Sequence, residues 1–246
     1  MSRSVLITGA SRGIGRAAAL AFAVLGDRVA VNHRDSARLA SGLCAEMAGD
    51  GHIAVQADIA DPDAVRTMVD EVAAAFGTID VLVNNAGIYR PHRIMDVTYD
   101  EWQAQWRDTL ETNLAGAANV TWCAVRHMRA GGRIVNVSSR GAHRGEPDHP
   151  AYGAAKAGLN AMAQSLSIPL GSLGIGVVTI APGYVDTDMA RPYLDSPSRA
   201  EIKAQSPFDR VATAEEVAAA IVWLASPAAE WASGSVLDFN GATYFR

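Results

Sequence analysis

Val5-Leu6-Ile7-Thr8-Gly9-Ala10-Ser11-Arg12-Gly13-Ile14-Gly15 stands near the start of this 246-residue chain. A short apolar run hands over to a glycine-rich turn, which hands over to a stretch with helical apolar spacing. Runs of this kind read as a buried strand followed by a helix. Where the strand turns into the helix, the missing Cβ of Gly9, Gly13 and Gly15 permits a tight turn. It also lets a pyrophosphate come close to the helix N-terminus. The spacing departs from the commonest dinucleotide fingerprint, so the strand–turn–helix setting carries the inference, not the pattern alone. Cofactor contacts are assigned here to Gly9, Ser11, Arg12, Gly13, Ile14 and Gly15, with a purely structural glycine turn as the alternative.

The same alternation continues along the chain. Strands are expected at 4–8, 28–32, 52–56, 81–84, 133–138, 176–181 and 235–239. Helical patterns at 14–25, 36–48 and 61–76 separate the early ones. This is the signature of right-handed βαβ units, so the expected fold class is α/β. It is a single-domain Rossmann-type doubly wound parallel sheet in three α/β/α layers, with residues 1–246 as one domain. Asp61 followed by Pro62 reads as an N-cap and first helical residue, while Gly26 and Gly77 read as helix stops. Long helices are expected at 99–129 and 150–170, covering sheet faces or a subunit contact, and a regular helix at 214–224. Trp102, Trp106 and Trp122 are assigned to packing along the first of these or at an interface. Pro192, Pro197 and Pro207 break up 186–210, which lies beyond a strand end and reads as a substrate-side lid or as an irregular surface excursion.

Apolar residues make up 49% of the chain, and its 22 glycines are spread without a collagen-like period, as in a soluble globular composition. A formal net charge of -5 argues against a dedicated nucleic-acid binder. Cys44 and Cys123 read as small reduced side chains within helices, and no cysteine–histidine cluster has metal-ligand spacing. The chain runs straight into its first strand without a basic leader, and no apolar stretch reaches membrane-spanning length. A cytoplasmic protein, with no membrane and no nucleic acid as partner, is expected.

The end of the second strand bears on the cofactor. A carboxylate there would bond both ribose hydroxyls of NAD, but this chain has Asn32-His33-Arg34, with Arg12 in the first glycine turn. His33 stands in place of the acid, and two guanidinium groups suit an adenosine 2′-phosphate, which favours NADP over NAD. Two solvated surface arginines are the alternative, and Asp35 lies one residue on. Asp58 and Ile59 follow the third strand, where Asp58 is placed to accept from the adenine amino group. Asn84-Asn85-Ala86-Gly87 follows the fourth, where small residues let the chain lie against a cofactor. Asn85 reads equally as a structural turn residue.

Tyr152-Gly153-Ala154-Ala155-Lys156 spaces a phenol and an ammonium by one helical turn, so both share a face and reach one cleft. A nearby ammonium favours phenolate and eases proton movement through tyrosine. Taken alone, the pair reads equally as a half-buried aromatic and a solvated lysine.

With these segments in place, the chain resembles the short-chain dehydrogenase/reductase family, especially its bacterial 3-oxoacyl-[acyl-carrier-protein] reductase-like members. The Thr8–Gly15 turn, Asn84–Gly87, Tyr152–Lys156 and Pro182-Gly183 occur in the family order over nearly the whole chain. The resemblance implies that Tyr152 is the general acid in reduction and the base in oxidation. Lys156 would lower its pKa and hold the nicotinamide ribose. Ser139 would polarise the substrate carbonyl beside its structural neighbour Ser138, and Asn113 would hold a water linking Lys156 to solvent. Pro182, Gly183, Val185 and Thr187 would meet the carboxamide or phosphate, leaving the pro-S hydride face toward substrate. The implied reaction is NADP-dependent, reversible reduction of a ketone, with a 3-oxoacyl thioester as first choice and a sugar or other small secondary alcohol as the alternative. A catalytically silent nucleotide-binding interaction protein is a further one. The substrate implied is a small-molecule carbonyl or alcohol, free or acyl-carrier-bound. Arg140, His143, Arg144, Glu146, Asp148 and His149 make the approach between Ser139 and Tyr152 polar, while Arg90 reads as a surface residue. The ending Leu237-Asp238-Phe239-Asn240-Gly241-Ala242 departs from the family's usual valine–aspartate–glycine–glycine at Asn240 and Ala242. A homotetramer through the long helices and the last strand is implied, with a dimer as the alternative.

Overall fold

The structure, a computed structural model, describes residues 2–246. Seven strands form one sheet in the order β3-β2-β1-β4-β5-β6-β7. They are β1 (Ser4–Ile7), β2 (Arg28–His33), β3 (Ile53–Gln56), β4 (Val81–Asn84), β5 (Arg133–Val137), β6 (Gly176–Pro182) and β7 (Val236–Phe239). Every neighbouring pair is parallel, so all strand C-termini open on one rim of the sheet. The strand order reverses beside β1, whose neighbours are β2 and β4, and a crevice opens there at the rim.

All four residues of β1 are buried, as a strand covered on both faces requires. Its side chains alternate between two cores. Val5 and Ile7 join Phe22, Val29 and Val31 on one face, whereas Leu6 joins Leu82, Ile134 and Met68 on the other. The helices supply the rest of each layer: α1 (Gly13–Val24), α2 (Ala37–Glu46), α3 (Pro62–Phe76), α4 (Tyr99–Leu110), α5 (Ala117–Ala124), α6 (Gly141–Arg144), α7 (Pro150–Gly171), α8 (Arg191–Leu194), α9 (Arg199–Ala204) and α10 (Ala214–Leu224). Helices α1 and α10 pack together over the first core, with Val217, Ile221 and Leu224 turned inward. Val65, Val69 and Val72 of α3 and Val120 of α5 close the second. The expected three-layer architecture is therefore present.

Local signals set the helix ends. Asp61 accepts from the amides of Asp63 at 2.9 Å and Ala64 at 3.1 Å, with Pro62 in the first position. Gly77 closes α3 at φ 80°, a left-handed conformation suited to glycine. Thr98 and Glu101 form a reciprocal cap on α4, as Thr213 and Glu216 do on α10. Trp102 and Trp106 pack on each other along α4, while Trp122 of α5 is exposed.

One expectation needs correction. The single helix expected over 99–129 is interrupted by a π-helical turn, Glu111–Gly116, between α4 and α5, and ends in a 3-10 turn at Val125–His127. The reason is a close contact: a Cβ on Gly116 would lie 2.7 Å from the Ile59 carbonyl oxygen, and the widened turn seats the helix against that loop. Residues 186–210, expected as a lid or an irregular excursion, contain α8 and α9. Ala190, Leu194 and Ile202 form a small apolar cluster of their own there. The tail beyond β7 folds back at the same rim, where Asn240 Oδ1 accepts from the Thr243 amide at 3.0 Å. Among the described residues no helix is long and apolar enough to cross a membrane.

Candidate active site

The crevice at the rim is an elongated cleft of about 540 Å³. One end is built from the glycine turn. Gly9 has φ 62° and approaches Ala86 so closely that a Cβ would lie 2.9 Å from the Ala86 Cα. Gly13, at φ 57°, would place a Cβ 3.4 Å from Thr187 Cγ2, bringing the loop after β6 across the turn. No side chain caps the N-terminus of α1, and no acidic residue lies in its first turn. Its free N–H groups therefore suit an anion.

Gly9, Ser11, Arg12, Gly13, Ile14, His33, Arg34, Asp58, Ile59, Asn85, Ala86 and Gly87 all line this cleft, together with Pro182, Gly183, Val185 and Thr187. Gly15 does not: it lies behind the wall, where a Cβ would meet Asn85 Nδ2 at 2.5 Å. The Asn85 amide donates to the carbonyls of Thr8 at 2.9 Å and Gly9 at 3.1 Å. Its side chain thus fixes the turn, as its structural alternative has it. Asn32 Oδ1 accepts from the Gly9 amide at 3.1 Å. Beside it His33 is buried with Nδ1 unpartnered. Arg34 pairs with Asp35 at 3.2 Å, both more than half exposed, and holds the Asp35 carboxyl below its usual range. Arg12 is exposed at the same end. Free helix amides, a turn that tolerates no Cβ, an orphaned histidine nitrogen and two arginines together fit a dinucleotide bearing an extra phosphate.

The other end holds the expected chemistry. Tyr152 lies in the first turn of α7 and Lys156 one turn later. Lys156 is buried, and its Nζ donates to the Val137 carbonyl at 2.7 Å. Burial pulls the amine down to about 8. Burial also pushes the Tyr152 phenol up to about 12, with the Ser139 hydroxyl opposing the shift and the Glu146 charge adding to it. Desolvation is the largest cause at the phenol in this cofactor-free state, in which the Lys156 amine is turned to the Val137 carbonyl. Ser139 Oγ accepts from the Gly141 amide at 3.0 Å, and Ser138 Oγ donates to the Lys156 carbonyl at 3.2 Å.

Asn113 sits in the π turn, one layer behind the cleft. Its Oδ1 accepts from the Ile88 amide at 2.8 Å and its Nδ2 donates to the Ile88 carbonyl at 2.9 Å. A Cβ on Gly87 would come within 3.3 Å of Asn113 Oδ1 and 3.7 Å of Lys156 Nζ, so this glycine keeps the space between the two open.

An aromatic wall completes the cleft. Tyr89 meets Tyr152 edge-on at 4.7 Å and stacks on His149 at 3.6 Å. His149 Nε2 and the Tyr193 hydroxyl of α8 are hydrogen-bonded at 2.7 Å. Burial drives the imidazole down to about 4, so its neutral form prevails at physiological pH. The Tyr89 hydroxyl donates to Glu146 Oε2 at 3.4 Å. Arg90 is bound to Asp108 at 3.2 Å. The sequence reading assigned no role to Tyr89, Tyr184 or Tyr193. Two signals were available: Tyr89 follows the Asn84–Gly87 segment, and Tyr184 lies directly after Pro182-Gly183.

A family model described as Enoyl-(Acyl carrier protein) reductase matches residues 9–241. The chain is similar to the 3-oxoacyl-[acyl-carrier-protein] reductase FabG of Staphylococcus aureus, 38% identical over 248 residues and covering 99% of each chain. It is also similar to the crystal structure of a short chain dehydrogenase from Burkholderia cenocepacia in complex with NADP. That match has a TM-score of 0.88 and 36% identity, covering 98% of this chain and 97% of the other. A dehydrogenase/reductase from Sinorhizobium meliloti superposes with a TM-score of 0.92 at 29% identity, over 100% of this chain and 96% of that one.

Proposed function

Because this chain belongs to the short-chain dehydrogenase/reductase family, we propose that it reduces a ketone to a secondary alcohol, reversibly, with NADP ahead of NAD. The observation that carries this reading is the shared cleft. The Tyr152 phenol, the Ser139 hydroxyl and the Lys156 amine gather at one end of it. The glycine turn, His33, Arg34 and Arg12 line the other. The names of the relatives make a 3-oxoacyl thioester the first substrate class to assay. A cytoplasmic homotetramer belongs to the same proposal, its contacts formed by the long helices and β7.

The residues have distinct tasks. A bound nicotinamide supplies the hydride. Ser139 and Tyr152 would hold the carbonyl oxygen, whose negative charge grows as its carbon is reduced. A phenol kept protonated by burial is loaded as the acid, and Tyr152 would deliver its proton to that oxygen. Lys156 would stabilise the phenolate left behind, with Asn113 and Gly87 bordering the route of proton return. Tyr89, His149 and Tyr193 would exclude water from the reacting oxygen.

The test is a carbonyl and alcohol panel run with NADPH/NADP and with NADH/NAD, on wild type and Tyr152→Phe. Turnover is expected with NADPH, and Tyr152→Phe should lower kcat by about 100-fold or more while leaving cofactor binding nearly intact. Full turnover in the variant removes Tyr152 as proton carrier. Tight NADP binding without turnover on any substrate would favour the silent interaction protein.

A further inference from the structure

Arg140 directly follows Ser139 and lines the same cleft. Its side chain is 2% exposed, yet among the described residues the only hydrogen bond from the guanidinium goes to a neutral amide, Gln205 Oε1, at 2.6 Å from Nη2. The Tyr184 ring lies against the guanidinium, 5.1 Å from centroid to carbon. Nη1 is buried with no partner. The charged and titratable groups around it are Arg144, Glu146, Tyr184 and Tyr89. Glu146 already lies 3.5 Å from Arg144 and takes a bond from Tyr89. Two guanidinium groups therefore share one carboxylate, and the buried one is left with the surplus charge.

A charge removed from water is strongly unfavourable unless something pairs with it. A planar guanidinium edge suits a planar carboxylate through charge-assisted bonds. Room exists beside it: a second cavity of about 270 Å³ shares Arg140, Gly183 and Tyr184 with the main cleft, and its charged lining is Arg210, Glu216 and Asp238, with Glu216 paired to Arg210 and Asp238 to Arg246. We infer that Arg140 is a specificity-determining residue that receives a carboxylate carried on the same short chain as the reacting carbonyl. The preferred substrates are then oxo acids, in place of the 3-oxoacyl thioester that the names of the relatives put first. A neutral ester or thioester oxygen would leave the charge uncompensated. This inference rests on the reading of Ser139 and Tyr152 as the carbonyl site.

The experiment compares short oxo acids, each with its own ethyl ester, as substrates at saturating NADPH. Wild type is expected to favour the acid in kcat/KM by roughly tenfold or more, mainly through KM, as loss of a bond to a charged group predicts. Arg140→Met should level acid and ester, and Arg140→Lys should restore part of the preference. Equal use of acid and ester by wild type, or a preference that survives in Arg140→Met, overturns the assignment. A wild-type measurement stands independently of how the variants fold. Butanoate should inhibit competitively against the ketone, and butanamide should not; equal inhibition by the two also overturns it. Should no ketone be reduced, calorimetry of acid and ester on the protein with NADP separates the two ideas. Selective binding of the acid keeps Arg140 and removes the reductase reading, while binding without selectivity removes Arg140.

Discussion

Lys156 is an amine with a conflict built into its position. The backbone holds it in a buried site where its charged form is disfavoured. Its folded pKa, about 8, lies below the ordinary 10.5 of lysine. The unfolded chain therefore binds more protons between these values, and stability rises with pH across that window. Below about 8 the full penalty is present, on the order of 3 kcal/mol from the size of the shift. Lys156→Met should then stabilise the cofactor-free protein at pH 7 by about 2 kcal/mol, once the lost bond to Val137 is set against the relief. Thermal unfolding checks this: Tm should rise at pH 7, the gain should shrink toward pH 10, and turnover should vanish. The Tyr152 phenol, raised to about 12, gives a second pH signature. Reduction uses the protonated form and should be flat near neutrality. Oxidation uses the phenolate and should climb with pH by up to about tenfold per unit, as initial rates in both directions would show. At the phosphate end, Arg34→Asp should move discrimination toward NAD, read as the ratio of kcat/KM for the two cofactors. Unchanged discrimination would remove Arg34 from the 2′-phosphate.

Elements differ in how openly the sequence declares them. Strands β1 and β4 are mainly apolar runs bounded by polar or glycine signals, because a strand covered on both faces needs apolar side chains on each. The cap of α3 is equally legible, since Asp61 and Pro62 act through local backbone bonds alone. The π turn is not legible. It arises because Gly116 must pass the Ile59 backbone, a contact between segments far apart in the chain. For the same reason the Tyr152–Lys156 pair could be read from a spacing of one turn, whereas the stack of Tyr89 on His149 joins loops after different strands. The π turn carries its own prediction. Gly116→Ala would drive a methyl group into the Ile59 carbonyl, and overpacking of this sort costs about 1–3 kcal/mol. Unfolding should come at lower temperature, and nucleotide binding, measured by calorimetry, should weaken with it because Ile59 lines the cleft. A variant as stable as wild type would show that the turn yields freely.

At the scale of the whole molecule, β7 ends the sheet with an open edge, the kind of surface that folded proteins cover. Trp231, just before it in sequence, is fully exposed, and Phe245 in the tail after it is 78% exposed. The proposed tetramer would cover this side. Sedimentation should therefore give four copies for wild type and fewer for Trp231→Glu combined with Phe245→Glu; a wild-type monomer would discard the proposal. The parallel sheet also sorts the two chain ends. Residue Ser4 begins β1 at the rim opposite the cleft, whereas Asn240, Gly241 and Thr243 line the small cavity next to Arg140. The molecule thus offers one safe handle and one sensitive one. Fastened to a bead or fused to another protein through its beginning, it would keep its working mouth open. Fastened through its end, it would hang foreign chain where Arg246 binds back onto Asp238 and Val236, three residues past the Thr243 wall of that cavity.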